Sequence, residues 1–161
     1  MGVLVLGLFS NTIQGIEGAI LLAIAHGFVS PALFTCVGGI IYDRTGKRII
    51  NYIRGLATYM PVFTILFFIF TLCNTGIPLS LNFLGEQLAL IGIFEKNPII
   101  ASLGATGIVL SACYSLFLYN RLSYGSYSPH LPILKDINRR EYSVLITCLL
   151  YTSPSPRDGL L

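Results

Sequence analysis

The chain has 161 residues, of which 54% are apolar and 11% are charged, and its mean hydropathy is +0.76. A soluble domain carries about a quarter charged residues, so this composition excludes a soluble enzyme and favours a protein that lies in a lipid bilayer. The net charge of +3 comes from 10 basic and 7 acidic residues. It is too small and too scattered to indicate a nucleic-acid partner.

The first long element is predicted as a transmembrane helix over residues 13–42. Its ionisable side chains are Glu17, His26 and the terminal Tyr42. About 30 residues give roughly 45 Å of helix, which exceeds a hydrocarbon thickness of roughly 30 Å, so we expect one tilted or bent span. The apolar residues 2–8 before it are typical of a helix entered midway. That start predicts that the chain is a piece of a longer protein.

Three further apolar runs are predicted as helices over residues 57–73, 81–94 and 99–121. The middle run gives roughly 21 Å of helix, which is too short to cross a membrane alone. Gly76 and Pro78, which precede it, break helices. A broken backbone at membrane depth must be covered by protein or line a hydrated cavity, and discontinuous helices recur in transporters. A plain turn between two ordinary helices explains the same spacing, and both interpretations stay open.

The basic residues lie mainly in two polar segments, residues 43–54 and 121–140, and the second segment, together with Glu141, is predicted as a loop. If residues 57–94 form two crossings, these segments lie on opposite sides of the membrane. If the same residues form one broken crossing, the segments lie on the same side. The positive-inside rule therefore does not orient the chain from the sequence.

Two ionisable residues inside the apolar runs are the candidate functional residues. Burying the carboxylate of Glu86 at membrane depth costs at least a few kcal/mol, so it is expected to face a partner, water or a proton path. The alternative is an interfacial position at a helix start. His26 can relay a proton, and Pro31 frees the carbonyl of the neighbouring Gly27. Packing against another helix is the alternative for His26.

Other polar and small residues in the spans are predicted to serve packing. Glu17 is nine residues from His26, roughly on the opposite helix face, and is expected near the interface. Cysteines in the apolar runs lack metal-ligand spacing and are predicted to be core residues. A stripe of small residues in the last span is predicted as a helix contact. Two tyrosines are predicted as packing or interface residues, and the alternative is that their hydroxyls line a hydrated path. These residues are Cys36, Cys73 and Cys113; Gly104, Gly107, Ser111 and Ser115; and Tyr114 and Tyr119.

Several blocks, in matching order and spacing over about residues 7–125, resemble the chain 4 family of mitochondrial NADH–ubiquinone oxidoreductase, respiratory complex I. The blocks are Ile16-Glu-Gly-Ala-Ile-Leu-Leu-Ala-Ile-Ala-His26-Gly-Phe-Val-Ser-Pro-Ala-Leu-Phe34, Tyr42-Asp-Arg-Thr-Gly-Lys-Arg48, Gly55-Leu, Met60-Pro and Asn82-Phe-Leu-Gly-Glu86. The resemblance implies an all-α, polytopic transmembrane bundle made of the later helices of a fourteen-helix antiporter-like subunit. The sequence departs from the family pattern at Pro31 and Gln87, and neither change removes an ionisable group.

The same resemblance implies a site and a cellular setting. His26 would lie on the central hydrophilic axis of the subunit, and Glu86 on a discontinuous helix at the exit half-channel; both would carry protons. The chain would hold no cofactor or metal of its own, since NADH, FMN, the Fe–S clusters and ubiquinone belong to other subunits. Its partners would be other membrane-arm subunits, the bilayer of the mitochondrial inner membrane, and protons. The piece alone would carry no redox site and could not pump.

Two rival functions share parts of this pattern. An antiporter-like subunit of a multisubunit cation/proton antiporter or of a membrane-bound hydrogenase has the same helix plan. A purely structural bundle or assembly subunit is the other rival, and it needs neither Glu86 nor His26 to titrate.

The end of the chain is predicted to be foreign to residues 1–147, which form the transmembrane part. Codons that encode residues 148–158 can reproduce a synthetic sequencing-library adaptor. Residues 148–161 are therefore predicted to be a translated adaptor remnant that is irregular and unpacked. A native tail rich in proline and serine is the alternative.

Overall fold

The structure, a computed structural model, describes residues 1–129, 131 and 134–152. These residues form helices and loops without a β-strand, which confirms the all-α prediction. The helices are α1 (Gly2–Phe9), α2 (Ile13–Phe34), α3 (Tyr42–Thr45), α4 (Leu56–Tyr59), α5 (Pro61–Asn74), α6 (Leu81–Lys96), α7 (Pro98–Ser123) and α8 (Arg139–Thr152). A π-helical stretch, Thr35–Ile41, joins α2 to α3, and Ile50–Tyr52 forms a 3-10 turn.

The first predicted span is longer than expected and is one continuous helix over Ile13–Thr45. The Thr12 hydroxyl caps its start by accepting from the Gly15 N–H at 3.2 Å, and Gly46 ends it in the left-handed conformation. Hydrophobic periodicity does not distinguish a π-helical stretch from an α-helix, so this stretch could not be predicted from the sequence. Ile13–Thr45 and α7 are the two described helices long and apolar enough to cross a membrane. In the most apolar stretch of each helix, 28% and 11% of the residues are buried, whereas the core helix of a soluble protein is mostly buried.

The other helix boundaries shift for local reasons. The predicted helix 57–73 is broken at Met60, because Pro61 starts α5 as its first residue. The predicted helices 81–94 and 99–121 extend to Lys96 and to Ser123. Asn97 separates them and caps α7, since its side-chain oxygen accepts from the N–H groups of the second and third residues that follow, at 3.0 and 3.4 Å.

Helices α2 and α6 pack antiparallel along a seam of glycines. A Cβ placed on Gly92 would lie 2.5 Å from the Cα of Gly15, and one on Gly85 would lie 2.8 Å from the backbone nitrogen of Leu22. A Cβ on Gly18 would lie 2.5 Å from a backbone nitrogen of α6. Backbones this close are the form of helix contact that small residues allow in membranes.

Helices α5 and α6 lie end to end along the helix Ile13–Thr45. The seam holds α6 against the first half of α2, whereas Phe63 and Phe67 of α5 share a buried cluster with Cys36 and Ile40. Residues 75–80 between α5 and α6 are not helical. The two short helices therefore form one broken crossing, which settles the choice that the sequence left open.

A single broken crossing brings the two basic segments to the same end of the bundle. Arg121 donates a hydrogen bond to the side chain of Asn51, and the rings of Tyr59 and Tyr127 lie 4.3 Å apart. The loop before α4 therefore contacts the loop after α7. The positive-inside rule assigns this end to the inner side of the membrane. Its basic residues are Arg44, Lys47, Arg48, Arg54, Arg121, Lys135, Arg139 and Arg140.

The small-residue stripe of α7 is covered at its ends within the described residues. The side chains of Leu6 and Leu90 come within 3.6 and 3.7 Å of a Cβ built on Gly104, and Ser115 is buried. Gly107, between them, meets no described atom within 4 Å. The predicted helix contact is thus present at both ends of the stripe and absent from its middle in the described part of the chain.

The polar segment after α7 is more ordered than predicted. Arg139, Arg140 and Glu141, expected in a loop, form the first turn of α8. Asp136 just before it accepts from the N–H groups of Val62 and of the next residue, at 3.1 and 3.2 Å, and so caps α5. A cap of this kind can be made by a residue far away in the chain, which sequence spacing does not reveal.

The prediction that the irregular tail begins at residue 148 is wrong, because the helix continues past that residue. Residues 148–152 continue α8, with Cys148 and Leu149 packed on the buried cluster and Thr152 1% exposed. The ring of Tyr151 stacks on Phe28 of α2 at 5.0 Å. The amphipathic pattern of α8 thus runs into the segment that was assigned to the adaptor. Residues 153–161 lie outside the described residues, and the adaptor origin stays a prediction.

An ion pair fastens α8 to the end of the first span. An Nη atom of Arg44 lies 2.7 Å from Oε2 of Glu141 and also donates to the carbonyl of Asp136 at 3.2 Å. Partial burial of Glu141 opposes its ionisation. The N–H of Asn138 and the Arg44 guanidinium outweigh that burial, so the pKa of Glu141 lies below its ordinary value.

This ion pair predicts a pH-dependent docking of α8. A carboxyl whose pKa is lowered by folding stabilises the fold above its unfolded pKa and loses that contribution as pH falls through the folded value. We expect amide protection in α8 to be full at neutral pH and to fall below about pH 4. The measurement is hydrogen exchange, expressed as protection factors. Glu141→Gln should show the reduced protection at neutral pH, and equal protection there would contradict the ion pair's role.

Candidate functional site

A cavity of about 360 Å³ lies between α1, α2, α6, α7 and the loop that follows α5. It brings together the two candidates from the sequence, His26 from α2 and Glu86 from α6. Other polar side chains and the Met1 amino end line it as well. The polar lining consists of His26, Asn74, Thr75, Asn82, Glu86, Ser111 and Tyr114.

Glu86 lies in the interior part of α6 and against the helix break. Ser80 caps α6, with its hydroxyl accepting from the Phe83 N–H at 3.4 Å, and the first turn holds no acidic residue. Glu86 is therefore past the helix start, contrary to the interfacial alternative. A Cβ placed on Gly76 would lie 2.5 Å from its Oε2 atom. The Glu86 carboxyl thus covers the backbone of the break, where Gly76 has a φ of 74°.

His26 lies about one turn from Glu86 along the α2–α6 pair. The antiparallel seam places Leu22 beside Gly85, so His26 is level with the start of α6. The offset between the levels of His26 and Glu86 is roughly 7 Å at 1.5 Å per residue. Glu17, by contrast, is exposed and does not line the cavity. This agrees with its predicted place away from His26.

Asn82 joins the two sides of the break. It is 2% exposed, and its Nδ2 donates to the carbonyl of Cys73 at 2.9 Å. The N–H of Gly76 donates to the same carbonyl at 3.3 Å. The Oδ1 atom of Asn82 is buried and has no hydrogen-bond partner among the described residues. The last carbonyls of α5, the glycine of the break and the second residue of α6 thus form one polar cluster.

No functional role of the remaining polar lining follows from the sequence alone. Asn82 belongs to the motif block that ends at Glu86, but it also stands four residues before Glu86 and therefore shares its helix face. That spacing was the available signal. Ser111 and Tyr114, assigned to packing, line the cavity from α7, with their hydroxyl oxygens 3.3 Å apart. No pattern within α7 distinguishes a cavity-lining stripe from a packed one.

The described residues hold no group of three or more histidine, cysteine or acidic side chains that could bind a metal ion. The four cysteines are free thiols. Cys36 is buried, as predicted, whereas Cys113 is exposed, contrary to the predicted core position. The cavity is lined by titratable and hydrogen-bonding side chains.

The model of the family described as NADH:quinone oxidoreductase/Mrp antiporter, transmembrane, matches residues 1–124. The chain belongs to this family. Among curated proteins it is similar to NADH-ubiquinone oxidoreductase chain 4 of Mycosarcoma maydis, at 58% identity over 149 residues, which covers 92% of this chain and 31% of that protein. It is also similar to chain 4 of Marchantia polymorpha, at 48% identity over 148 residues, or 91% of this chain and 30% of that one.

A solved member of the family has the same fold. Respiratory complex I from Thermus thermophilus with bound NADH contains a chain that is 31% identical, with a TM-score of 0.85 over 94% of this chain and 32% of that one. The resemblance to chain 4 noted from the sequence blocks is thereby confirmed. The chain spans about a third of the length of the relatives it matches.

Proposed function

We propose that this chain is part of a membrane-arm subunit of NADH:ubiquinone oxidoreductase that translocates protons across the mitochondrial inner membrane. The observation that carries the proposal is the common cavity of His26 and Glu86 beside a broken helix. Family membership supplies the context, since the relatives are complex I chain 4 proteins. Electron transfer from NADH to quinone would take place on other subunits, with their own cofactors.

Glu86 and His26 would have different roles in proton transfer, because their side chains bind protons in different ways. Glu86 binds a proton on its carboxylate and releases it again, which changes the charge beside the break at Gly76. His26 accepts a proton on one ring nitrogen and gives one up from the other. An ionised carboxylate in a membrane is costly unless it faces such a polar surrounding. The cavity provides that surrounding from four helices and one loop.

The geometry also supports an orientation. The end of the bundle that holds most basic residues would face the matrix, and α1, α2 and α6 would meet at the opposite side. This follows from the positive-inside rule once α5 and α6 count as one crossing. The partners would be neighbouring membrane-arm subunits, lipid, and the transported protons.

The family also includes Mrp antiporters, and cation/proton antiport is therefore a second candidate function. In that case Glu86 and His26 would serve exchange of protons for another cation without NADH oxidation. The named relatives at up to 58% identity favour complex I.

The test reconstitutes the complex with its full-length chain into sealed vesicles and measures proton uptake per NADH oxidised. The proposed function predicts uptake that does not need sodium, whereas an antiporter subunit predicts uptake that a sodium gradient drives without NADH. His26→Gln should lower proton uptake per NADH partially, since water in the cavity can bridge a missing relay. Unchanged uptake in His26→Gln at equal assembly would remove His26 from the path.

A further inference from the structure

The Oδ1 atom of Asn82 is buried and has no hydrogen-bond partner among the described residues. Leaving a buried acceptor unpaired destabilises a fold, so such an atom calls for an explanation. Asn82 is held in place, because its Nδ2 donates to the Cys73 carbonyl. Its oxygen is therefore fixed as an acceptor at the break between α5 and α6.

Glu86 is a candidate donor because of its position on α6. The two residues stand four apart on α6 and so are neighbours on one face of that helix. Both line the cavity, and the Glu86 carboxyl lies over Gly76, whose N–H donates to the same Cys73 carbonyl that Asn82 holds. No described residue forms a hydrogen bond with Glu86. An ionised carboxylate has no proton to offer Asn82, whereas a protonated carboxyl has one O–H donor.

We propose that Asn82 is the positioning residue for the proton-loaded form of Glu86: its Oδ1 accepts the O–H hydrogen bond of the protonated carboxyl. This inference rests on the proposed function of Glu86 as a proton carrier. On loading, a proton bonds to one Glu86 oxygen, the negative charge is neutralised, and the new O–H donates to Asn82. On release, the O–H bond of the carboxyl breaks, the proton passes to a ring nitrogen of neutral His26 or to a water molecule in the cavity, and Oδ1 is again unpaired.

The arrangement links the charge state of Glu86 to the backbone of the break. A donor on Oδ1 polarises the Asn82 amide and strengthens its Nδ2 hydrogen bond to the Cys73 carbonyl. Protonation of Glu86 on α6 therefore changes the strength of a hydrogen bond that Asn82 makes to the last turn of α5. The titratable side chains that share the cavity with Glu86 are His26 of α2 and Tyr114 of α7. Among the described lining residues none of these is hydrogen-bonded to Asn82.

The test uses the assembled complex with its full-length chain and infrared difference spectroscopy of protonated carboxyl groups. The carbonyl band that disappears in Glu86→Gln belongs to Glu86. In Asn82→Leu, that band should move to higher frequency, because its carboxyl loses a hydrogen-bond acceptor, and proton uptake per NADH should fall severalfold. Asn82→Ala, which adds no atoms, gives the same readouts if the leucine variant does not assemble.

Ser80→Ala is the matched control for a merely structural role. Ser80 is 1% exposed and its hydroxyl donates to the Ile77 carbonyl, so its loss removes hydrogen bonds at the same break. It should leave the Glu86 band in place. An unmoved band in the Asn82 variants, or an equal shift in Ser80→Ala, would overturn the inference. If Glu86→Gln itself pumps like the parent, the proposed function fails instead, which separates the two cases.

Discussion

Glu86→Gln should assemble normally and lose most of the proton uptake that accompanies NADH oxidation. Glutamine keeps the size of the side chain and fills its place over Gly76, but it cannot bind and release a proton. Removing a positioned proton-transfer group costs roughly 100-fold or more in rate. Because pumping and electron transfer are coupled in the proposed complex, NADH:quinone turnover should fall as well, but by a smaller factor than proton uptake, since the redox sites on the other subunits are unaltered.

The comparison variants make this expectation specific. Glu86→Asp keeps a titratable carboxyl on a shorter side chain and should be milder. Glu17→Gln removes a carboxylate that is exposed and away from the cavity, so it should pump like the parent. The measurement is proton uptake per NADH in vesicles at equal content of assembled complex. Full uptake in Glu86→Gln, or an equal loss in Glu17→Gln, would show that Glu86 is not a proton carrier.

Gly92→Ala should destabilise the assembled protein even though alanine is the better helix former. The new methyl group would meet the backbone of Gly15 at 2.5 Å, and a backbone cannot move aside as a flexible side chain can. Overpacking of this kind costs about 1–3 kcal/mol. Helices α2 and α6 would have to separate, which would also change the cavity that His26 and Glu86 share.

Gly107→Ala is the matched control for the glycine seam. No described atom lies within 4 Å of a Cβ at Gly107, so alanine there gains roughly 0.5–1 kcal/mol from helix propensity without a clash. Thermal inactivation of the complex and the yield of assembled subunit are the measurements. Gly92→Ala should lower both and Gly107→Ala should not. Equal behaviour of the two variants would show that the seam does not determine the packing.

The order of the helices and the two candidate residues, His26 and Glu86, could be predicted because the signals for them lie in short stretches of sequence. Apolar run lengths gave the spans, and Gly76 and Pro78 gave the break. Glu86 and His26 stood out since an ionisable group inside an apolar run is costly. Each of these signals is contained within about one helix length of sequence, and the resemblance then placed them in a family.

The remaining features depend on contacts between distant parts of the chain. The seam between Gly15 and Gly92 consists of glycines that look unremarkable within either helix, whereas the visible stripe around Gly107 is open at its middle in the described residues. The cap from Asp136 to α5 joins residues more than 70 positions apart. The role of Asn82 was hidden because a free acceptor can be recognised only when all its neighbours are known.

The backbone contact of α2 with α6 has a consequence for how the site can change state. Helices that touch at Gly15, Gly18, Gly85 and Gly92 have no side-chain layer that could rearrange, so they move as one rigid body. The spacing between the main chains at His26 and Glu86 is therefore fixed. A proton that travels between them must use side-chain rotation or an intervening water. Any larger displacement is confined to the non-helical residues 75–80, where α5 and α6 are joined by a short loop and not by a shared seam.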